Sequence, residues 1–268
     1  MNLQEVIKER EKTLERIIAT FHNMDGVIGM FLSGSIAEGT SDEYSDIDFR
    51  VLIDDEHYEE VLSQRLTLPK QWGAFLFNEY WPNTNYCISH YKPFFKVDVF
   101  YYRVKDLLPS PWFNRGIKVI FDKNFIISRI VKESEDLTFN PTQLDVEISI
   151  SKGIAHAHEV YRRIMRGELI YARELLSEIR YRMIEAEDYI HNFAPEGFTR
   201  VESRGNKKII EIINISYEVT DKEEILKSLY ELISIYRQQI QKLHNKFNLC
   251  RDLAKDLLSI DLLFCHKH

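Results

Sequence analysis

The sequence predicts an α+β protein, with a mixed sheet and helices in the N-terminal half and an all-helical bundle in the C-terminal half. Three observations carry this. Between residues 27 and 121, short stretches rich in β-branched and aromatic residues recur, punctuated by glycine, proline and asparagine. From Asn140 onward the apolar residues follow helical spacing nearly to the end. The length of 268 residues suits two modest domains at about 150 residues each. The expected division is 1–135 and 136–268.

Leu3, Val6, Ile7, Leu14, Ile17, Ile18 and Phe21 recur with a helical period, so residues 3–22 form an amphipathic helix packed by one face. Val27 to Leu32, Ile47 to Ile53, Ala74 to Tyr80, Tyr86 to Ser89 and Phe94 to Tyr102 read as strands of one sheet. A short helical pattern at His57 to Gln64 and a turn at Pro82 separate some of them. One more strand, Ile117 to Phe121, follows Pro109-Ser110-Pro111. Asn140-Pro141 starts the first bundle helix, since asparagine caps exposed amides and proline fills the first turn without losing a needed donor. Gly167 stops that helix after Arg166. A second spans Leu169 to His191, residues 194–206 are a loop, and Thr220-Asp221-Lys222-Glu223 has capping-box spacing before a long helix to Asn248.

With 44% hydrophobic and 29% charged residues, the chain has the balance of a globular protein with a buried core, which excludes disorder and collagen. No run approaches the roughly 18 apolar residues a membrane helix needs, and the first residues are too charged for a secretory signal. The expected location is the cytoplasm, with no membrane partner. Cys87, Cys250 and Cys265 are odd in number, far apart and form no CxxC pair, so reduced thiols are expected. The net charge of −7 is unevenly spread. Residues 1–140 hold 16 basic and 22 acidic side chains, and 141–268 hold 19 and 20. Proteins that track nucleic acid gain affinity from Lys and Arg on phosphates, and this field opposes that, so a small substrate or a bound cation fits better.

The informative segment joins one strand to the next, from Phe31-Leu-Ser-Gly34-Ser35 to Asp46-Ile47-Asp48-Phe49. A glycine-serine pair there frees backbone amides and a hydroxyl to meet phosphate oxygens. Asp46 and Asp48 stand two apart on a strand and share a face. Two close carboxylates repel, and a hard cation such as Mg²⁺, its shell completed by triphosphate oxygens, stabilises them together. Asp98 is a lone acid among Phe94, Phe95, Val97, Val99 and Phe100, and a metal shared with Asp46 and Asp48 would give it a partner. Ser35, Thr40, Ser41 and Ser45 join Gly34 as candidate nucleotide contacts, although each also reads as a turn residue, as Gly39 does.

Gly34-Ser35, ten intervening residues, Asp46-x-Asp48 and a distant strand carboxylate together resemble the nucleotidyltransferase superfamily of the DNA polymerase β type. Within it the chain is most similar to the lincosamide and aminoglycoside nucleotidyltransferases, above all the longer lincosamide type with its helical bundle. The stretch Arg166-Gly167-Glu168 to Glu174-Leu175-Leu176-Ser177 is a second point of likeness. The resemblance implies a nucleotidyltransferase-like N-terminal domain that moves a nucleoside monophosphate, usually adenylate from ATP, onto a substrate hydroxyl with Mg²⁺. It does not fix the acceptor, for which a lincosamide or aminoglycoside antibiotic is one expectation. One departure stands out: the longer lincosamide type has glutamate in place of the second aspartate and another near the position of Asp98, and since either acid binds magnesium this weakens the assignment to that drug class but not the activity.

The first bundle helix supplies further candidates. Glu147, near its apolar side, is the expected general base, although an early helical glutamate is also favoured by the helix dipole alone. Lys152 is a candidate phosphate contact. The active site is expected in the cleft between the two domains. His156 and His158 point to nearly opposite sides of their helix and cannot share one ion, and Cys265-His266-Lys267-His268 reads as a tail. Trp72, Tyr80 and Trp81 suit either a stacking wall or core. Apolar Ile225, Leu226, Leu229, Leu232, Ile233, Ile235 and Ile240, resumed in Leu257 to Phe264, exceed one narrow face, so a homodimer is expected. Two rival readings are a nucleotide-sensing or interaction protein without turnover, and a transferase acting on RNA or protein through a strip at Arg162, Arg163, Arg166 and Arg173.

Overall fold

The computed structural model describes residues 2–79 and 81–265, and Tyr80 and the His266-Lys267-His268 end of the tail lie outside them. The chain forms two compact units, Met1–Thr138 and Phe139–His268.

In the first unit, α1 (Leu3–His22) is capped by the Asn2 side chain and leads to β1 (Val27–Ser33), α2 (Gly34–Glu38) and β2 (Ile47–Ile53). Then follow α3 (Tyr58–Ser63), β3 (Phe75–Asn78), β4 (Tyr86–Tyr91), β5 (Phe95–Arg103), β6 (Lys118–Asp122) and α4 (Ile126–Ser134). The sheet order is β3-β4-β5-β2-β1-β6. β2 and β5 run parallel and the other neighbouring pairs antiparallel.

Strand alternation gives this sheet two different faces. Ile47, Phe49, Val51 and Ile53 of β2 join Val97, Val99 and Tyr101 of β5 in a core closed by Val6, Ile17 and Phe21 of α1. The intervening residues point the other way. There Phe31 and Leu52 meet Phe113 and the Ile127 and Ile130 side chains of α4, a second and smaller core.

The mixed sheet with helices and the following helical region are the architecture read from the sequence. Four α-helices among the described residues were not: α2, α4 and, in the second unit, α7 (Val201–Arg204) and α8 (Lys207–Ile215), with α7 falling inside the stretch 194–206 read as a loop. α4 starts where Asp122 accepts the backbone amides of Ile127 (2.9 Å) and Ser128 (2.8 Å). Its apolar residues Ile126, Ile127, Ile130 and Val131 have the helical spacing that would have disclosed it.

The second unit is all helical: α5 (Gln143–Met165), α6 (Leu169–Ile190), α7 (Val201–Arg204), α8 (Lys207–Ile215), α9 (Lys222–Lys246) and α10 (Leu253–Phe264). α8 follows the missed α7 directly, and Asn206 caps it. Two caps sit away from their expected places. α5 begins with a Thr142/Asp145 capping box rather than at Asn140, and α9 with an Asp221/Glu224 box, one residue beyond Thr220. In both, a carboxylate three residues on reaches back to the starting amide.

The apolar residues read as a surplus are largely used inside this unit. Ile225, Leu229, Leu232, Ile233, Ile240 and Ile260 are fully buried, whereas Leu258 and Leu262 remain exposed. Among the described residues no helix is long and apolar enough to cross a membrane.

The middle of α5 packs tightly on α9. A Cβ added at Gly153 would meet the Tyr236 hydroxyl at 2.3 Å. That ring is fully buried and donates to the Ser149 carbonyl at 3.0 Å, so it has no room to swing aside. Gly153→Ala is therefore expected to destabilise the chain by about 1–3 kcal/mol, the usual cost of overpacking, which urea unfolding would measure. A gain in stability from better helix propensity would show that Tyr236 yields.

Candidate active site

The site begins with the pairing of β2 and β5. Their parallel register sets Asp48 beside Asp98 and Ile47 beside Val97, so both carboxylates leave the sheet on the face opposite α1. Asp46, just before β2, completes the group. The Lys96 ammonium stands between two of the three, 2.5 Å from Asp46 Oδ2 and 2.7 Å from Asp98 Oδ2. Arg50, two residues after Asp48 on the same face, places Nη1 3.8 Å from Asp48 Oδ1. Its guanidinium lies over the rings of Phe100 (4.2 Å) and Trp112 (5.1 Å).

Burial pushes the Asp48 carboxyl above its ordinary range, Arg50 opposes this, and the nearby Asp98 and Asp46 charges add to it. Burial likewise raises Asp98, against the hydrogen bond from Lys96. For Lys96, burial pulls downward, yet the bonds to Asp46 and Asp98 outweigh it and hold the ammonium above its usual value. Burial lowers Arg50, with Asp48 opposing. The carboxylates thus need positive charge, and both resident cations supply it. Asp98 Oδ1 is buried with no hydrogen-bond partner, and so are Arg50 Nε and Nη1.

The glycine-serine turn adjoins the same group. Ser33 at the end of β1 pairs with Asp48, and the chain then turns through Gly34 at φ +66°. A Cβ at Gly34 would fall 2.2 Å from Asp48 Oδ2, so both the turn and the close approach require glycine. Ser35 lies in the first turn of α2, and its carbonyl accepts from the Thr40 amide at 2.9 Å. Thr40 and Ser41 are exposed. The Ser45 hydroxyl donates to Asp42 Oδ1 at 2.8 Å, closing a local turn. Arg10 of α1, only 5% exposed, holds this loop through the carbonyls of Asp42 (2.6 Å) and Ser45 (2.7 Å).

Glu147 and Lys152 belong to α5 in the second unit. Glu147 Oε1 accepts the Cys250 amide at 2.7 Å, and Lys152 is exposed. Trp72 is fully buried with its indole on Thr20, so it is core, whereas Trp81 is exposed and donates to Glu79. Tyr80 lies outside the described residues. In the arginine strip, Arg162 and Arg163 pair with Glu159, and Arg163 and Arg166 with Glu168. His158 meets the Ser259 carbonyl at 2.7 Å.

Sequence reasoning missed Lys96, Arg50 and Arg10. The first two carried a legible signal, since each stands two residues from a candidate acid on the same strand. Arg10 carried none, because only the fold brings α1 to the loop.

The nucleotidyltransferase domain family matches residues 12–106, which span β1, β2 and β5 with every residue of the carboxylate cluster. The chain carries a nucleotidyltransferase domain of the DNA polymerase β type. No curated protein sequence matches it significantly. By structure it is similar to an aminoglycoside 6-adenyltransferase from Bacillus subtilis, at 13% identity and TM-score 0.45, over 96% of this chain and 98% of that one. It is also similar to a nucleotidyltransferase-like protein from Exiguobacterium sibiricum, at 13% identity and TM-score 0.43, over 88% and 77%. A spectinomycin adenyltransferase from Enterococcus faecialis, solved with ATP and spectinomycin, aligns at 11% identity and TM-score 0.34, over 96% and 97%.

The family implies a divalent metal. Among the described residues no three acidic, histidine or cysteine side chains converge as a ready ligand set. The Lys96 ammonium stands instead where Asp46 and Asp98 meet. It acts as a stand-in cation, and with the orphaned Asp98 Oδ1 it shows that the residues fit a positive ion. Lys96→Met is then expected to tighten Mn²⁺ binding roughly tenfold or more in the absence of nucleotide, by removing a competing charge. Manganese titration followed by electron paramagnetic resonance reads this directly, and equal or weaker binding would show that the ammonium does not compete.

Proposed function

We propose that the protein is a Mg²⁺-dependent nucleotidyltransferase that moves a nucleoside monophosphate, AMP from ATP, onto a hydroxyl of a small polar molecule. The observation that carries this is the β2–β5 register, which sets Asp48 beside Asp98 next to a glycine-serine turn, with Asp46 joined to Asp98 through Lys96, within a nucleotidyltransferase domain. Asp46, Asp48 and Asp98 would hold the metal, which when bound supplies charge neutralisation at the α-phosphate.

The chain's own residues do the remainder. Gly34 and Ser35 offer backbone amides and a hydroxyl to the triphosphate tail, at a turn where the bare glycine leaves room for the Asp48 carboxylate. Arg50 keeps Asp48 in place and adds fixed positive charge behind it. In the reaction the acceptor oxygen bonds to the α-phosphorus, the bridging bond to the β-phosphate breaks, and pyrophosphate leaves. The hydroxyl proton passes to a base.

The acidity of residues 1–140 suits a cationic acceptor, and the resemblance to lincosamide and aminoglycoside transferases supports an antibiotic of those classes. The ion pairs of Arg162, Arg163 and Arg166 with Glu159 and Glu168 speak against a phosphate-tracking strip for RNA.

Labelled ATP, Mg²⁺ and a panel of lincosamides and aminoglycosides test the proposal. The expected result is a labelled acceptor plus pyrophosphate, with Asp46→Asn lowering turnover by roughly 100-fold or more. Absence of nucleotide binding at millimolar ATP would overturn it.

A further inference from the structure

We propose that His90 takes the proton of the attacking hydroxyl and that Glu79 and Phe77 position its ring, an inference that rests on the nucleotidyl-transfer reading above. Sheet order supplies the first argument. Gly34 and Ser35 follow β1, on one side of the carboxylates carried by β2 and β5, whereas β4 and β3 lie on the other. In a phosphoryl displacement the nucleophile enters roughly in line with, and opposite to, the leaving group. With the triphosphate tail at Gly34 and Ser35, the hydroxyl enters from the β4 side.

β4 offers a base there. Its register pairs His90 with Lys96 and Ile88 with Asp98, so His90 shares the carboxylate face, next to the lysine that bridges Asp46 and Asp98. Directly opposed residues on such a pair have Cβ atoms about 4.5–5.5 Å apart, within reach of one small substrate group.

The imidazole is held on two sides. Nε2 lies 3.0 Å from Glu79 Oε1, and the ring stacks on Phe77 with centroids 4.4 Å apart and planes 14° from parallel. Glu79 also accepts from the Trp81 indole at 3.2 Å. The hydrogen bonds from His90 and Trp81 keep its carboxyl below the ordinary range, so it remains the ionised acceptor. With the Nε2 proton donated to Glu79, the lone pair sits on Nδ1. The ring is 29% exposed, open enough to meet a substrate and fixed enough to present one nitrogen.

The charged groups facing it are Glu79 from the β3 end, Lys96 from β5 and, through Lys96, Asp46 and Asp98. Glu147, the base expected from the sequence, already accepts the Cys250 amide. In the proposed step the acceptor O–H bond breaks as the new P–O bond forms, the proton goes to Nδ1, and the electron pair of the cleaved bridge leaves on pyrophosphate.

The test uses ATP cleavage to AMP and pyrophosphate, with water as acceptor alongside the antibiotic panel, and measures nucleotide affinity separately. His90→Ala is expected to lower kcat about 100-fold while leaving ATP affinity within about twofold, and added imidazole should restore part of the rate. Glu79→Gln should lower kcat about tenfold with KM for ATP unchanged, since it disturbs only the ring's orientation. If wild type turns over and His90→Ala turns over equally, or is slowed without imidazole rescue, the role of His90 is overturned and the transfer reading stands. If wild type binds no ATP, both fall.

Discussion

Parallel pairing of β2 with β5 forces two aspartates of like charge, Asp48 and Asp98, into register on one face of the sheet. Burial and the neighbouring like charges together raise the Asp48 carboxyl, with Asp46 adding to the effect of Asp98. The surrounding structure is organised around that cost. Lys96 bridges Asp46 and Asp98, Arg50 stands behind Asp48, and Gly34 withholds a side chain so that the Asp48 carboxylate has space. Arg10 fixes the loop that delivers Asp46. The two cations leave three carboxylates incompletely balanced when all are ionised, so the site still attracts positive charge.

The same strands build the core and the site, and this explains how a strained cluster is tolerated. Ile47, Phe49 and Val51 are fully buried against α1, while Asp48 and Arg50 alternate with them to the opposite face. Displacing Asp48 to relieve repulsion would drag those core residues with it. A register slip of one residue would exchange the two sets entirely, putting aspartate in the core and phenylalanine at the site. Hydrophobic burial on one face therefore holds charges on the other at a spacing they would not adopt alone. Arg50 shows the same bargain at a single residue: its guanidinium rests on Phe100 and Trp112, yet two of its nitrogens have no hydrogen-bond partner. Cation–π contact offsets part of that desolvation but satisfies no donor.

Much of this was legible in the sequence because it obeys local periods. The alternation of β2 and β5, the helical spacing of α1, α5 and α9, and the acids around Gly34-Ser35 all lie within a few residues of one another. What was not legible depends on pairing between segments. Nothing local says that Lys96 meets Asp46, fifty residues away, or that β4 lies beside β5 with His90 opposite Lys96. Arg10 looked like one charge among many on α1, and its burial follows only from the loop folding over it. Helix starts failed for a different reason. Asn140 and Thr142, or Thr220 and Asp221, are near-equal caps by residue type; Thr142 has a carboxylate three residues on where Asn140 has Gln143, whereas Thr220 and Asp221 both have one, so residue type alone does not separate them.

The departure from the longer lincosamide type, aspartate where that group has glutamate, has a steric counterpart in this chain. The carboxylate of Asp48 ends so close to Gly34 that even one added carbon on the glycine would overlap it at 2.2 Å. A glutamate at the same place would carry its carboxylate about 1.5 Å farther from the strand, one more carbon–carbon bond, directly toward that turn or away from Asp98. Either movement alters the spacing between the acids that the β2–β5 register establishes. The short acid and the bare glycine are therefore a matched pair. Asp98 is short as well: set beside Asp48 by the register, it meets the Lys96 ammonium that also holds Asp46, while Arg50 stands by Asp48.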